Sequence, residues 1–221
     1  MIRQNSEKEQ FKQKLRDLLV KEESTCHTNK IAKNANVYVA GDKDDLVYFI
    51  EQGQIKVVVP TPRGKERILA IHGKGDIFGE LCIGERLETA KTMTNTELKT
   101  VSCNKFLMQL SKESLLEEFV RYLAMRLAEQ QQVIANLVTV DREQRLGKTL
   151  LHLAKSIGTN DSYGTVIYIS HKELSEMIGT TPSRVGMFMQ RFRNLGLVEM
   201  PKEHYLIIAE QKLSRYLTQA A

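Results

Sequence analysis

The chain has 221 residues, 42% of them hydrophobic, and a net charge of +5. That length suits one mid-sized domain plus a small one, and the hydrophobic share is ordinary for a protein with real cores. No apolar run is long enough to span a membrane, the N-terminus lacks a signal-peptide core, and three scattered cysteines (Cys26, Cys82, Cys103) argue against a disulfide framework and for a reducing cytoplasm.

Charge is unevenly placed. Residues 1–141 carry 21 Lys and Arg against 20 Asp and Glu, whereas residues 142–221 carry 11 against 7. Most of the positive excess therefore sits in the last third, where it suits phosphate binding by counterion release.

In chain order, Glu7 to Val20 reads as a short amphipathic helix, with Phe11, Leu15, Leu18 and Leu19 at helical spacing. From Ile31 to about Met108 the pattern becomes short strands broken by Gly, Pro and Asp: Val37–Val39, Leu46–Ile50, Ile55–Val59 and Arg67–Ile71. Such spacing predicts a barrel or jelly roll. After Leu115 the period turns helical up to about Asp141. Val120, Leu123, Leu127, Gln130, Ile134 and Leu137 then fall on alternating three- and four-residue steps, the seam of a coiled coil. A helix of that length, roughly 40 Å, is too long for one barrel to cover. The helix is expected to dimerise with a second copy of itself; the alternative is a helix folded back on its own barrel.

From Arg142 onward a compact set of helices and short strands is expected. Gln144–Ile157 is a helix, Thr165–Ile169 a strand, Leu197–Glu199 and Leu206–Ile208 a hairpin, and Glu210–Leu217 a last helix. Between them lies the most informative stretch. Ser170 is a good N-cap, and Glu173 three residues on completes a capping box. Leu174, Met177 and Ile178 give one apolar face, and Gly179 ends the helix. Thr181 caps a second helix with Pro182 in its first turn. Val185, Phe188, Met189, Phe192 and Leu195 are its expected buried face. Ser183, Gly186, Met187, Gln190 and Asn194 lie opposite, flanked by Arg184, Arg191 and Arg193. Two helices with a short turn, the second basic at its flanks, predict a helix-turn-helix whose second helix enters the major groove. Ser183 and Met187 are then placed near base edges, Gln190 can pair with adenine, and Arg184 can reach a guanine edge or a phosphate. Lys202, in the hairpin, is a further phosphate contact as a wing.

The order and spacing of these segments resemble the catabolite-activator/FNR (CRP/FNR) family of transcription regulators. The marks are Gly53-Gln54-Ile55-Lys56-Val57, Gly75-Asp76-Ile77-Phe78-Gly79-Glu80-Leu81, Asp141-Arg142, and Glu173 through Leu195. The resemblance covers nearly the whole chain. It implies an α+β fold: a cyclic-nucleotide-binding-type jelly roll with an N-terminal helix over 1–114, a dimerisation helix over 115–141, and a winged helix-turn-helix over 142–221. It also implies an effector-controlled homodimer on double-stranded DNA, in contact with RNA polymerase and with no membrane.

In cyclic-nucleotide-binding members the segment matching Gly79, Glu80 and Leu81 holds the ribose and phosphate, with Thr89 and Ala90 as the matching pair further on. The residue just before that pair is normally arginine, and here it is Glu88. A carboxylate there replaces attraction by repulsion, which argues against cyclic AMP as the effector; Arg86 and Lys91 are the nearby cations that could swing in to compensate. The connection between Leu81 and Thr89 is also about two residues short of the family's pattern. Gln130 and Gln131 match positions that touch the base, although a polar seam residue also fixes coiled-coil register. On the DNA side, Pro182, Ser183 and Met187 replace the Arg, Glu and Arg of the best-known activators, so the target sequence is expected to differ. An apolar contact of Met187 with a thymine methyl is one expectation. Ser170 and His171 match positions that touch the DNA backbone.

Cys26 alone does not make an iron–sulfur cluster, and His27 and His72 are too few for a metal site. No nucleophile–base pairing or phosphate-binding loop suggests an enzyme. Two alternatives stay open: an interaction module that does not bind DNA, and an effector-independent regulator with a closed pocket.

Overall fold

Two four-stranded sheets build the first half of the computed structural model. One orders β1 (His27–Ile31), β8 (Thr96–Ser102), β3 (Leu46–Gln52) and β6 (Ile77–Phe78); the other orders β2 (Asn36–Tyr38), β7 (Thr89–Thr92), β4 (Ile55–Pro60) and β5 (Glu66–His72). The structure describes all residues except 1, 22–25, 63, 82–83, 163 and 220–221, and not the side chains of 2–5. By contact density the chain divides into two units, Met1–Val58 with His72–Val133, and Val59–Ile71 with Ile134–Ala221.

The expected jelly roll is present. Alternation drives it: in β8, Thr96, Leu98 and Thr100 point inward and Glu97 and Lys99 do not. At the β3–β4 turn only glycine fits, because Gly53 has φ +100° and a Cβ there would lie 2.5 Å from Thr96 Oγ1. Expectation and structure part at two places. Strands β1, β7 and β8 are too polar to read as strands from hydropathy. The strand region also stops before Met108, because helix α2 (Cys103–Lys112) begins at Cys103 and buries Phe106 and Leu110.

Helix α1 (Ile2–Lys21) lays Phe11, Leu15, Leu18 and Leu19 into a core with Val47, Phe49, Phe106, Phe119 and Tyr122. Phe119 and Tyr122 belong to the long helix α3 (Leu116–Thr139), which Lys8 and Lys14 also grip through Glu129 and Glu118 at 2.9 and 2.7 Å. Of the seam, Leu123 packs partly buried against this core, and the rest of its apolar side chains face away from it. Val120, Leu127 and Ile134 are 63%, 60% and 61% exposed. Beneath α1, Lys12 pairs with buried Asp76 at 2.9 Å. Burial alone would raise the Asp76 pKa, but Lys12 and its other neighbours outweigh that and hold it low. His72, 4.0 Å from Asp76, is buried; burial and then Arg126 push its pKa down to about 3, so the pair is not ionic at neutral pH. Cys103 is disulfide-bonded, a departure from the expectation of reduced thiols.

The second unit contains α4 (Arg142–Ile157), α5 (His171–Ile178), α6 (Pro182–Asn194) and α7 (Glu210–Gln219). Its sheet orders β11 (Val198–Lys202), β12 (Tyr205–Ile208), β10 (Gly164–Tyr168) and β9 (Thr159–Asp161). The expected helices, strand and hairpin are all there, and β9 is an addition. No helix among the described residues is long and apolar enough to cross a membrane.

Candidate functional site

The pair α5–α6 forms as its local chemistry dictates. The Ser170 hydroxyl accepts from the Glu173 N–H at 3.1 Å, and the Glu173 carboxylate accepts from the Ser170 N–H at 2.9 Å. Gly179 then takes φ 72°, where it carries no Cβ penalty. Thr181 Oγ1 accepts from the Arg184 N–H at 3.4 Å, and Pro182 occupies the first turn. Leu174 and Ile178 of α5 are buried, as are Val185, Met189 and Phe192 of α6. Leu195, expected on the buried face, is 49% exposed, because it is the C-cap where the helix has ended. Phe188 is only half-buried.

Thr181, Pro182, Ser183, Arg184, Met187 and Gln190 are all exposed. Among the described residues the Arg184 guanidinium has no hydrogen bond or ion pair. Gln190 donates to Asn194 Oδ1 at 3.1 Å, a bond that adenine pairing must exchange. His171 lies beside α6: its Nδ1 is 3.7 Å from where a Cβ on Gly186 would stand. Burial, then His204, lowers the His171 pKa, and its buried Nε2 has no partner among the described residues. The Ser170 hydroxyl also donates to Glu173, so its capping duty is complete. Lys202 ends β11 exposed, with its ammonium 5.0 Å from the Tyr205 ring centre.

Sequence reasoning missed Arg145. Its guanidinium donates to the carbonyls of Asn136, Leu137 and Val140 at the end of α3 and to Ile178 O of α5, at 2.6–3.2 Å. The last carbonyls of a helix lie beyond the reach of its own N–H groups, and a cation there also suits the helix dipole. An arginine just after a helix N-cap is the only local signal.

Two of the expected effector residues, Gly79 and Glu80, border a different arginine. Arg86 has a side chain only 1% exposed. Its Nε and Nη2 donate to the Asp44 carboxylate, Nη2 also to Leu46 O at 2.6 Å, and Nη1 to Glu80 O at 3.3 Å and Glu80 Oε2 at 3.4 Å. The guanidinium carbon stands 4.5 Å from the Tyr38 ring centre and 5.3 Å from that of Tyr48. Glu80 Oε1 meanwhile accepts from the Leu87 N–H at 2.7 Å. Gly79 has φ 93°, and a Cβ on it would lie 2.8 Å from Arg86 Nη1, so the guanidinium fills the space over that glycine. Thr89 Oγ1 accepts from the Ala40 N–H at 3.1 Å, and Ala90 is buried. Leu81 is packed on the core beneath α1. Glu88 is half-buried with Oε1 3.4 Å from the Tyr38 hydroxyl; burial and then Glu80 push its pKa up to about 7. Gln130 and Gln131 are exposed, and no hydrogen bond among the described residues joins them to this cluster.

Comparisons with known proteins agree on both halves. The cyclic nucleotide-binding domain family matches residues 28–113, and the Crp-like helix-turn-helix domain family matches residues 144–216. The cAMP-activated global transcriptional regulator CRP of Pasteurella multocida is 30% identical over 182 residues, covering 79% of this chain and 87% of that one. The CRP-like cAMP-activated global transcriptional regulator of Mycobacterium tuberculosis is 29% identical over 189 residues, covering 81% and 83%. Among solved structures, FixK2 from Bradyrhizobium japonicum superposes with a TM-score of 0.77 at 15% identity, over 86% of this chain and 96% of that one, a likeness of fold.

Proposed function

The chain belongs to the CRP/FNR family of transcription regulators, and from that premise we propose that it works as a homodimer reading a two-fold DNA site. It is a DNA-binding regulator with a helix-turn-helix and not an enzyme. The residues assigned to DNA are Ser183, Met187 and Gln190 at base edges, Arg184 at a guanine or a phosphate, and Ser170, His171, Thr181, Pro182 and Lys202 around the backbone. The observation that carries this reading is the outward presentation of Ser183, Arg184, Met187 and Gln190 from a helix capped at both ends. Helix N-termini bind phosphate through their unpaired N–H groups, and a base-facing surface needs polar and apolar groups that no internal partner claims.

Dimerisation is supported by the α3 seam. Val120, Leu127, Ile134 and Leu137 are exposed in one copy, and an identical helix is the partner whose spacing matches. Residues 1–114 then serve as the sensor, 115–141 as the dimer helix and 142–221 as the reader. A regulator seated at a promoter also meets RNA polymerase, and reading a bacterial-type chromosome places it in the cytoplasm. Cyclic AMP is not assigned as effector, because Glu88 stands where a phosphate would need a cation.

Selection of bound fragments from a random DNA pool tests the reading. The expected winner is a near-palindrome with half-sites about one helical turn, roughly 10 base pairs, apart. Enrichment of no sequence, or of a site without symmetry, rejects it.

A further inference from the structure

The cradle around Arg86 resembles a loaded binding site more than an open one. A guanidinium has five N–H donors in a rigid fork, and here all five have acceptors: Asp44 twice, Leu46 O, Glu80 O and Glu80 Oε2. Two aromatic faces, Tyr38 and Tyr48, complete a cation–π enclosure. The backbone of Arg86 is pinned as well: its N–H donates to Asp42 O at 2.9 Å, and its carbonyl accepts from the Gly41 N–H at 2.7 Å. Gly79 carries no side chain where one would strike the guanidinium.

We propose that Arg86 is a built-in ligand of the jelly roll, a tethered guanidinium that occupies the cradle in place of a cyclic nucleotide, so that DNA binding needs no nucleotide. The second half of this statement rests on the DNA-binding reading; the first does not. Three carboxylates, Asp44, Glu80 and Glu88, border the cradle, and the guanidinium it encloses has no donor to spare for a phosphate. An incoming phosphodiester meets repulsion where it needs attraction, and losing a buried charge partner alone costs roughly thirtyfold to several-thousandfold in affinity. It also has to displace a group held by the chain itself, whose effective concentration is on the order of millimolar or higher. The chemistry of the cradle selects a guanidinium and rejects an anion.

The test uses the full chain. Calorimetry and thermal shift with cyclic AMP, cyclic GMP and cyclic di-GMP at about 1 mM are expected to show no saturable heat and no shift, and affinity for selected DNA is expected to stay within about twofold with each nucleotide. Saturable heat, or a tenfold gain in DNA affinity, overturns the proposal. If the chain binds no DNA under any condition, the DNA-binding reading fails, and calorimetry still decides the cradle. Arg86→Ala supplies the positive arm. Its melting temperature is expected to fall by roughly 6 to 20 °C, and ethylguanidinium at about 20 mM is expected to recover part of that loss in the variant and none in wild type. A folded Arg86→Ala that melts like wild type, or that ethylguanidinium does not rescue, sinks the idea. Should Arg86→Ala fail to fold, Asp44→Asn, which removes one carboxylate of the cage, is expected to melt a few degrees lower; an unchanged melting temperature there counts against the proposal.

Discussion

Arg86 and Arg184 show two uses of one side chain. In the jelly roll, Arg86 is enclosed by two tyrosines and two carboxylates, and all its donors are satisfied within the fold. At the start of α6, Arg184 reaches into solvent with no partner for its guanidinium among the described residues. The contrast extends to their neighbours. Around Arg86, Thr89 and Glu80 are committed to backbone N–H groups, whereas around Arg184 the side chains of Ser183 and Met187 are exposed. A group that folding has already satisfied has little left to offer a ligand. A group that folding leaves unsatisfied costs nothing in solvent and is available to one.

The sharpest way to break this comparison is to remove each arginine in turn. Arg86→Ala leaves Asp44 and Glu80 without their cation, and breaking a buried pair on one side costs about 3–5 kcal/mol of stability, read by denaturant unfolding. Arg184→Ala is expected to leave stability within about 0.5 kcal/mol of wild type. It weakens binding to the selected DNA by about 1–3 kcal/mol if it reads a guanine, with relaxed specificity at that base. If it holds a phosphate instead, the loss is uniform across sequences and the salt slope falls by about one. Fluorescence anisotropy across a salt series separates the two. An Arg184→Ala variant that unfolds early would erase the distinction between the two sites.

The same contrast explains what was legible beforehand. The α5–α6 unit could be read residue by residue, since capping box, glycine stop, Thr cap and Pro at the first turn all act within four residues of chain. Leu195 fits the apolar periodicity yet lies outside the buried face, because that periodicity continues in the sequence past the point where the backbone leaves the helix. The jelly roll was visible from its apolar strands, but β1 and β7 offered no such signal; they are held by pairing with β8 and β4. The filled cradle was not legible at all. Glu88 signalled that a phosphate was unwelcome, yet nothing local says that Arg86 meets Asp44, 42 residues earlier, or that Arg145 gathers the end of α3. Such partnerships are made by the fold and leave no spacing behind.

Glu88 gives the comparison a pH axis. Its pKa is raised from 4.5 to about 7 by burial and by Glu80, against the opposing pull of Tyr38, Arg126 and Arg86. Between those values the folded protein binds more protons than the unfolded chain, so this group's stabilising contribution is complete below about 4.5 and is lost as pH rises through about 7. Glu88→Gln removes the charge at every pH. It is expected to raise stability by about 1–2 kcal/mol at pH 8, a figure reduced for partial solvent screening. The gain should shrink toward nothing at pH 5, as urea unfolding at the two pH values would show. A gain of equal size at both would mean that charge at this position is not what the cradle resists.

The smallest expected effect falls on the open side, at Met187. This thioether is 61% exposed, and stability alone gives no reason for an apolar group there. If it meets a thymine methyl, Met187→Ala weakens binding to the selected site by about 1 kcal/mol, close to fivefold, with folding unchanged. Replacing that thymine by uracil removes only the methyl and should cost wild type a similar amount. In Met187→Ala the same replacement should cost almost nothing, since contacting groups are not additive and the double-mutant cycle isolates their coupling. Equal uracil penalties in both proteins would place Met187 away from the methyl and leave specificity with Ser183, Arg184 and Gln190. A coupled result would show that even a single exposed apolar side chain on α6 is a reading group, which is the opposite of what burial does for the side chains lining the cradle.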